Sequence, residues 1–351
     1  MTTEDALRIF LPAVISFIFG IGLTPILTYF LYKYKFWKPK AGKVALDGSQ
    51  ASTFNELHKH KEVGTPRGGG IIVWVSVLAT AALLYGLSKL SPGSYDALTF
   101  VSRNQTWVPL VALLVGSLVG LIDDFYEVRG KGGLPLRLRL LVVAIVAGLS
   151  AWWFYTKLGV TAVSFIDPWH VLNLGIWFVP FFIFVALFLY AGGVIDGIDG
   201  LSGGIFATIF AAYGGIAFFQ SQMDLAGLCA AITGGLLAFL WFNIPPARYY
   251  LSETGTMGLT IVLTVVAFLT DLGGQGKGVV VLPVIALPLF ATVASNVLQI
   301  FWKKVFKKKL FKIAPLHHHF EAIGWPAYKV TMRYWVVGVI FATIGLGLAL
   351  L

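Results

Sequence analysis

The amino-acid sequence predicts an all-α, polytopic membrane protein with ten transmembrane helices and both termini outside. Three observations predict it: a composition too apolar for water, ten long stretches without a charged residue, and basic residues concentrated in alternate loops. Of the 351 residues, 58% are apolar and 12% are charged, and the mean hydropathy is +0.83. Soluble chains average about 45–50% apolar and about 25% charged residues. So few charges would not cover the surface of a water-soluble enzyme of this length. The same figures exclude disorder and a collagen-like repeat. The single cysteine, Cys229, lies inside an apolar stretch, which excludes an intrachain disulfide and leaves it a packing role. No internal repeat or low-complexity segment divides the chain, so residues 1–351 read as one integral-membrane domain.

A helix needs about 20 residues to cross the roughly 30 Å hydrocarbon layer. Stretches free of Asp, Glu, Lys and Arg run over Ile9–Tyr32, Gly68–Ser88, Asn104–Ile122, Leu140–Thr156, Val171–Ile195, Leu201–Met223, Leu225–Ala247, Thr254–Thr270, Gly278–Trp302 and Tyr334–Leu351. None shows the short, alternating segments of a membrane barrel, and helices satisfy every backbone polar group within lipid. The acidic start Met1–Asp5 carries no basic region, and no small-residue cleavage site closely follows the first apolar run, so that span is expected to be retained. Orientation comes from the basic residues. Of 26 Lys and Arg, 21 fall in the odd-numbered loops, which the positive-inside rule places in the cytoplasm. The net charge of +10 is accordingly a topological signal first. It also favours anionic lipid headgroups and anionic substrates over nucleic acid, for which no recognition module is visible.

Against this background five polar elements stand out, all in odd-numbered loops or at their edges. They are Gly64–Gly70, the pair Asp123-Asp124, the run Asp196-Gly197-Ile198-Asp199-Gly200, the segment Phe242–Thr256, and the internal run His317-His318-His319-Phe320-Glu321. Topology therefore gathers them at the cytoplasmic face, which is where an active site is expected. Adjacent carboxylates repel unless a cation or a raised pKa relieves them, which gives Asp123 and Asp124 a metal or acid–base character. Asp196 and Asp199 share a face if their turn is helical, and Gly197 permits close approach by a ligand. Three consecutive histidines rarely converge on one tetrahedral zinc, so hydrogen-bonding or proton-transfer roles suit His317, His318 and His319 better. With Glu253, five carboxylates on a cationic face and no thiolate suit Mg²⁺, with Mn²⁺ as the alternative. Such an ion turns carboxylates that would repel a diphosphate into a phosphoryl-transfer site.

These motifs carry a family resemblance over nearly the whole chain. The sequence resembles the bacterial phospho-N-acetylmuramoyl-pentapeptide transferases, members of the polyprenyl-phosphate N-acetylhexosamine-1-phosphate transferase superfamily. The run Pro315–Glu321 is the most specific piece, while Asp123-Asp124 and Asp196–Leu201 are superfamily marks. Gly64-Thr65-Pro66 and Phe242-Asn243 with Pro246-Ala247 add to them. The resemblance implies a bacterial cytoplasmic-membrane enzyme that joins UDP-MurNAc-pentapeptide to undecaprenyl phosphate, giving lipid I and UMP with Mg²⁺. It implies that one of Asp123 and Asp124 assists the lipid phosphate, that Asp199 and His317 to His319 complete the catalytic set, and that Glu253 holds the metal. Lys61, Thr65, Asp196, Gly197, Asn243, Tyr250 and Gln299 then form the substrate-binding set. A homodimer is compatible with a membrane enzyme of this size.

Several positions depart from the family pattern. Two Asn usually precede the Asp-Gly-x-Asp-Gly run, and here Tyr190–Ile195 contains neither. A Thr-Met pair becomes Arg67-Gly68, the metal Asp becomes Glu253, and a ninth-span Glu becomes Thr292. The lost amides motivate a second reading, a related transferase that uses another UDP-N-acetylhexosamine. A transporter or non-catalytic scaffold is a third reading. It is disfavoured because the charges lie at one interface rather than at the membrane midplane.

Overall fold

In the computed structural model the structure describes residues 3–39, 42, 63–90, 96–165 and 170–351. Its helices are α1 (Thr3–Lys33), α2 (Gly70–Leu90), α3 (Trp107–Val128), α4 (Leu136–Lys157), α5 (Phe178–Gly192), α6 (Leu201–Phe219), α7 (Met223–Asn243), α8 (Ser252–Asp271), α9 (Leu282–Ile285), α10 (Leu287–Phe306), α11 (Leu316–Ala322) and α12 (Ala327–Leu350). Among the described residues, nine helices are long and apolar enough to cross a membrane. The helical, multi-pass architecture expected from the sequence is therefore present.

Two expected spans differ in detail. The stretch Gly278–Trp302 is not one helix. It forms α9 and α10, broken at Ala286 (φ −98°, ψ 27°). Pro283 and Pro288, each in a first helical turn, supply no backbone N–H and so favour a new start over continuation. The stretch beginning at Val171 first pairs as a strand. Antiparallel β1 (Ala162–Ser164) and β2 (Val171–Asn173) place Val163 opposite Leu172, and the membrane helix begins only afterwards.

The centre of the bundle is α8, in which every residue except Glu253 is buried. A helix apolar on all sides belongs inside a bundle. Beyond Thr254, its threonines are accommodated because their hydroxyls return to the preceding turn, as in Thr260 to Thr256 O (2.8 Å), Thr264 to Thr260 O (3.0 Å) and Thr270 to Val266 O (2.9 Å). Helices α2, α3, α4, α5 and α6 pack around α8, α1 packs along α7, and α12 closes on α6.

The approach of α3 to α8 is the one that matters for chemistry. It depends on Gly116 and Gly120. A Cβ on Gly116 would lie 2.9 Å from Gly258 Cα, and one on Gly120 only 2.1 Å from Glu253 O. Small residues four apart let two membrane helices touch along their backbones. Asp124 is the next residue in that same row, so this packing carries it to the first turn of α8.

Candidate active site

Asp124 is fully buried and fully engaged. Ser252 Oγ donates to it at 2.6 Å, Thr254 N–H at 3.0 Å and Arg67 Nη1 at 3.1 Å, and the Thr254 hydroxyl donates as well. Ser252 also ties this carboxylate to another motif, because its backbone N–H donates to Asp196 Oδ2 at 2.7 Å. To hold both, Ser252 adopts φ +54°, a left-handed conformation that costs a non-glycine residue roughly 1–2 kcal/mol. Strain of this kind persists where the surroundings over-determine it.

Asp123, one residue earlier on α3, is also buried but less crowded. It accepts the Leu134 N–H at 2.6 Å, and Arg139 Nε lies 3.8 Å away. The turn that delivers Leu134 passes through Gly133 (φ +78°), where a Cβ would come within 3.0 Å of the Asp123 oxygen. Arg139 reaches on to Glu253, with Nη1 2.6 Å from Oε1, and the Tyr190 hydroxyl donates to the other Glu253 oxygen at 3.3 Å. Tyr190, just ahead of the Asp-Gly turn, thus braces the Glu253 carboxylate.

Oxygens of Asp123, Asp124 and Glu127 lie within 4.8 Å of one another, a spacing at which one divalent cation reaches all three. The donor set, all carboxylate oxygen, fits a hard ion rather than a thiolate-binding one. Arg67 already contacts two of the three, Asp124 and Glu127, and Lys38 Nζ lies 2.7 Å from Glu127. Burial works against the Arg67 charge, but Asp124, Glu127, Asp196 and Glu253 more than reverse it and hold its pKa above the ordinary guanidinium value.

The second aspartate motif is a turn, not a helix face. Asp196 follows a single 3₁₀ turn, Gly200 has φ +76°, and α6 begins at Leu201. Asp196 also accepts the Ser202 hydroxyl at 2.6 Å, and Asp199 accepts the Ala247 N–H at 3.3 Å. Asn243 is a strut beneath this turn. Its Oδ1 accepts the Gly200 N–H at 2.9 Å and its Nδ2 donates to Tyr249 O at 2.8 Å.

The histidines lie on α11, and the His317 and His318 rings pack against each other with centroids 4.3 Å apart. His318 Nδ1 meets Glu321 Oε2 at 2.7 Å, His319 Nδ1 accepts the Lys312 N–H at 3.2 Å, and buried His317 faces Tyr334 edge-on. Gly197 packs directly on them: a Cβ there would lie 2.6 Å from His318 Nε2 and 3.0 Å from His317 Nε2. Gly197 thus admits the histidine rings, and the His and Asp-Gly motifs form one surface. Gln299 grips the chain ahead of α11, accepting the Phe311 N–H at 2.9 Å and donating to Phe311 O at 3.1 Å. Tyr250, half-buried, pairs through its backbone with Pro66 O and Gly69 N–H. Thr65 is half-buried two residues before Arg67, and Lys61 lies outside the described residues.

The structure therefore joins Asp123, Asp124, Asp196 and Glu253 through Ser252 and Arg139. It also adds residues that the sequence reading did not assign to the site: Arg67, Glu127, Arg139, Tyr190, Ser252 and Thr254. For Glu127 the signal was present, since it sits three and four residues after the aspartate pair on one helix face.

Residues 106–271 match the family described as Glycosyl transferase family 4. A phospho-N-acetylmuramoyl-pentapeptide-transferase of Rubrobacter xylanophilus is 33% identical over 83% of this chain and 84% of its own. One of Anoxybacillus flavithermus is 30% identical over 95% of each chain. A third, from Geobacillus sp. WCH70, is 29% identical over 96% of each.

Proposed function

Because the chain belongs to the phospho-N-acetylmuramoyl-pentapeptide-transferase family, we propose that it transfers phospho-MurNAc-pentapeptide from UDP-MurNAc-pentapeptide to undecaprenyl phosphate. The products are lipid I and UMP. The observation that carries the reading is the convergence of three distant motifs on one end of the bundle: Asp123-Asp124 meets Asp196 through Ser252, and the Asp-Gly turn rests on His317 and His318. Whole-chain likeness at about this level identifies the family, and the site supplies groups suited to its chemistry.

In the reaction a lipid phosphate oxygen attacks the β-phosphorus, a new P–O bond forms, and the bond to the bridging oxygen breaks so that UMP departs with that oxygen. Asp124 is saturated by four donors and is a poor proton acceptor, whereas Asp123 is less encumbered. This supports Asp123 as the group that takes the lipid-phosphate proton and Asp124 as the anchor for the first turn of α8. Arg67 and Arg139 supply positive charge beside the phosphates, and His318, held by Glu321, borders the Asp-Gly turn. A divalent ion, Mg²⁺ with Mn²⁺ as substitute, supplies charge neutralisation of the diphosphate when bound, and Asp123, Asp124, Glu127 and Glu253 are the residues that would hold it. Asp199 belongs with the catalytic set, and the remaining substrate groups are Lys61, Thr65, Tyr250 and Gln299. The one-domain enzyme sits in the cytoplasmic membrane with this face in the cytoplasm.

A specific observation keeps one alternative: the stretch that carries two Asn in the family here offers the Tyr190 hydroxyl instead. A related transferase that uses another UDP-N-acetylhexosamine would follow from that change. The deciding experiment measures UMP release by the purified protein with polyprenyl phosphate and Mg²⁺, offering UDP-MurNAc-pentapeptide and UDP-GlcNAc in competition. Turnover of the pentapeptide substrate and its loss on chelation support the reading. Exclusive turnover of UDP-GlcNAc replaces it with the alternative, and no turnover in folded protein with any metal overturns both.

A further inference from the structure

The acidic cluster already contains cations of its own. Among the described residues, Asp123, Asp124, Glu127 and Glu253 are contacted by Lys38, Arg67 and Arg139, so most of their charge is balanced within the chain. Arg67 bridges two of these carboxylates. A single nitrogen, Nη1, touches both Asp124 and Glu127, two of the three carboxylates whose oxygens lie close enough to share one ion.

Its placement is enforced by the backbone. Arg67 N–H donates to Phe36 O at 2.7 Å, and the next residue's N–H donates to Ser252 Oγ at 2.9 Å. Gly69 N–H donates to Tyr250 O at 2.8 Å and Gly70 N–H to Leu251 O at 3.1 Å. The three glycines allow this. Gly68 has φ +81°, a Cβ on Gly69 would lie 2.7 Å from Tyr250 O, and one on Gly70 would lie 2.3 Å from Gly255 N. The segment Arg67–Gly70 is thus laid against the start of α8, and the guanidinium is delivered to the carboxylates from a fixed point.

From this we infer that Arg67 is a resident counter-ion occupying the position between Asp124 and Glu127 that a divalent cation would otherwise share, so that ion binding there and the Arg67 contact compete. Two positive charges a few ångströms apart in a partly buried site repel strongly, because little water intervenes to screen them. An ion can therefore enter this position only when the guanidinium withdraws. Once withdrawn, a guanidinium a side chain's length from the cluster is placed to pair with a phosphate oxygen, for which its planar donors are suited. Arg67 is a positioning residue here, acting through the carboxylates.

This inference rests on the transferase reading only for the presence of a divalent ion. It is tested without substrate, so its failure and the failure of that reading are distinguishable. Full-length protein in nanodiscs is titrated with Mn²⁺, and free ion is counted by electron paramagnetic resonance. Arg67→Met is expected to bind Mn²⁺ about tenfold more tightly than the unaltered protein, the equivalent of 1.4 kcal/mol. Arg67→Lys, which keeps the charge, is expected to stay much closer to the unaltered protein. Adding Glu127→Gln to Arg67→Met should remove the gain. Equal or weaker binding by Arg67→Met overturns the inference, as does Mn²⁺ binding by neither protein, or a gain that survives the Glu127 change. Should Arg67→Met fail to fold, as judged by its unfolding transition, Arg67→Gln is read in the same way.

Discussion

Helix α8 carries a buried aspartate interaction at each end, and the two ends do different work. At its last turn Asp271 is buried and accepts the Ser164 N–H at 3.0 Å, the Ser164 hydroxyl and the Val279 N–H at 3.1 Å. At its first turn Asp124 is equally buried and equally well bonded. Around Asp271, among the described residues, the partners are backbone amides and a hydroxyl, and they pin the β1–β2 hairpin to the bundle. Around Asp124 there are four further carboxylates, Asp123, Glu127, Asp196 and Glu253, with two arginines and a strained serine. A buried, satisfied carboxylate is therefore not in itself a sign of chemistry. What marks a site is the accumulation of like charges that only other charges can hold together.

The comparison can be broken from the active end first. Asp123→Asn is expected to lower UMP release about 10³-fold, the scale of a lost proton acceptor, with little change in the unfolding transition. Residual activity above a tenth of the original would remove Asp123 from that role. Next, Gly120→Ala should push α3 away from α8, because the added Cβ meets Glu253 O at 2.1 Å. A displacement near 1 Å at reacting groups costs about 10²-fold in turnover, and thermal unfolding should fall as well. Wild-type kinetics in this variant would show that the glycine row does not set the site.

At the other end, Asp271→Asn should cost roughly 2–4 kcal/mol of stability through weakened charge-assisted bonds. Specific activity of the folded fraction, followed by unfolding in detergent alongside the transfer assay, should remain. Loss of activity in folded Asp271→Asn would erase the distinction between the two ends. The smallest effect belongs to Tyr190→Phe, which removes one hydroxyl from Glu253 and should cost about 1 kcal/mol, a few-fold change in turnover or metal requirement. An unchanged metal titration would show that Tyr190 does not position Glu253.

Much of this was legible in the residue order. Charge-free stretches of span length locate most of the membrane helices, because lipid tolerates no other way of satisfying the backbone. The two errors have local causes. Pro283 and Pro288 split the stretch over Gly278–Trp302, which hydropathy alone reads as continuous, and Val171–Asn173 is apolar enough to extend a span yet pairs as a strand. Of the site, Asp123, Asp124, Asp196 and Glu253 stood out because carboxylates are rare in so apolar a chain. Arg67 and Arg139 did not, because in a chain of 26 basic residues a functional arginine resembles a topological one.

By itself the sequence determined what must be buried in lipid, which residues carry charge, and which family pattern they follow. These depend on composition and on spacing along one helix. Only the tertiary structure decided which charges meet: Arg67 with Asp124 and Glu127, Arg139 with Glu253, and Ser252 between two aspartates. The physical reason is range. Hydrophobic burial is read from neighbours in sequence, whereas an ion pair forms across 57 or 114 residues and depends on how closely two helix backbones approach. Here that approach is set by hydrogen atoms at Gly116 and Gly120, where any side chain would have kept the charges apart.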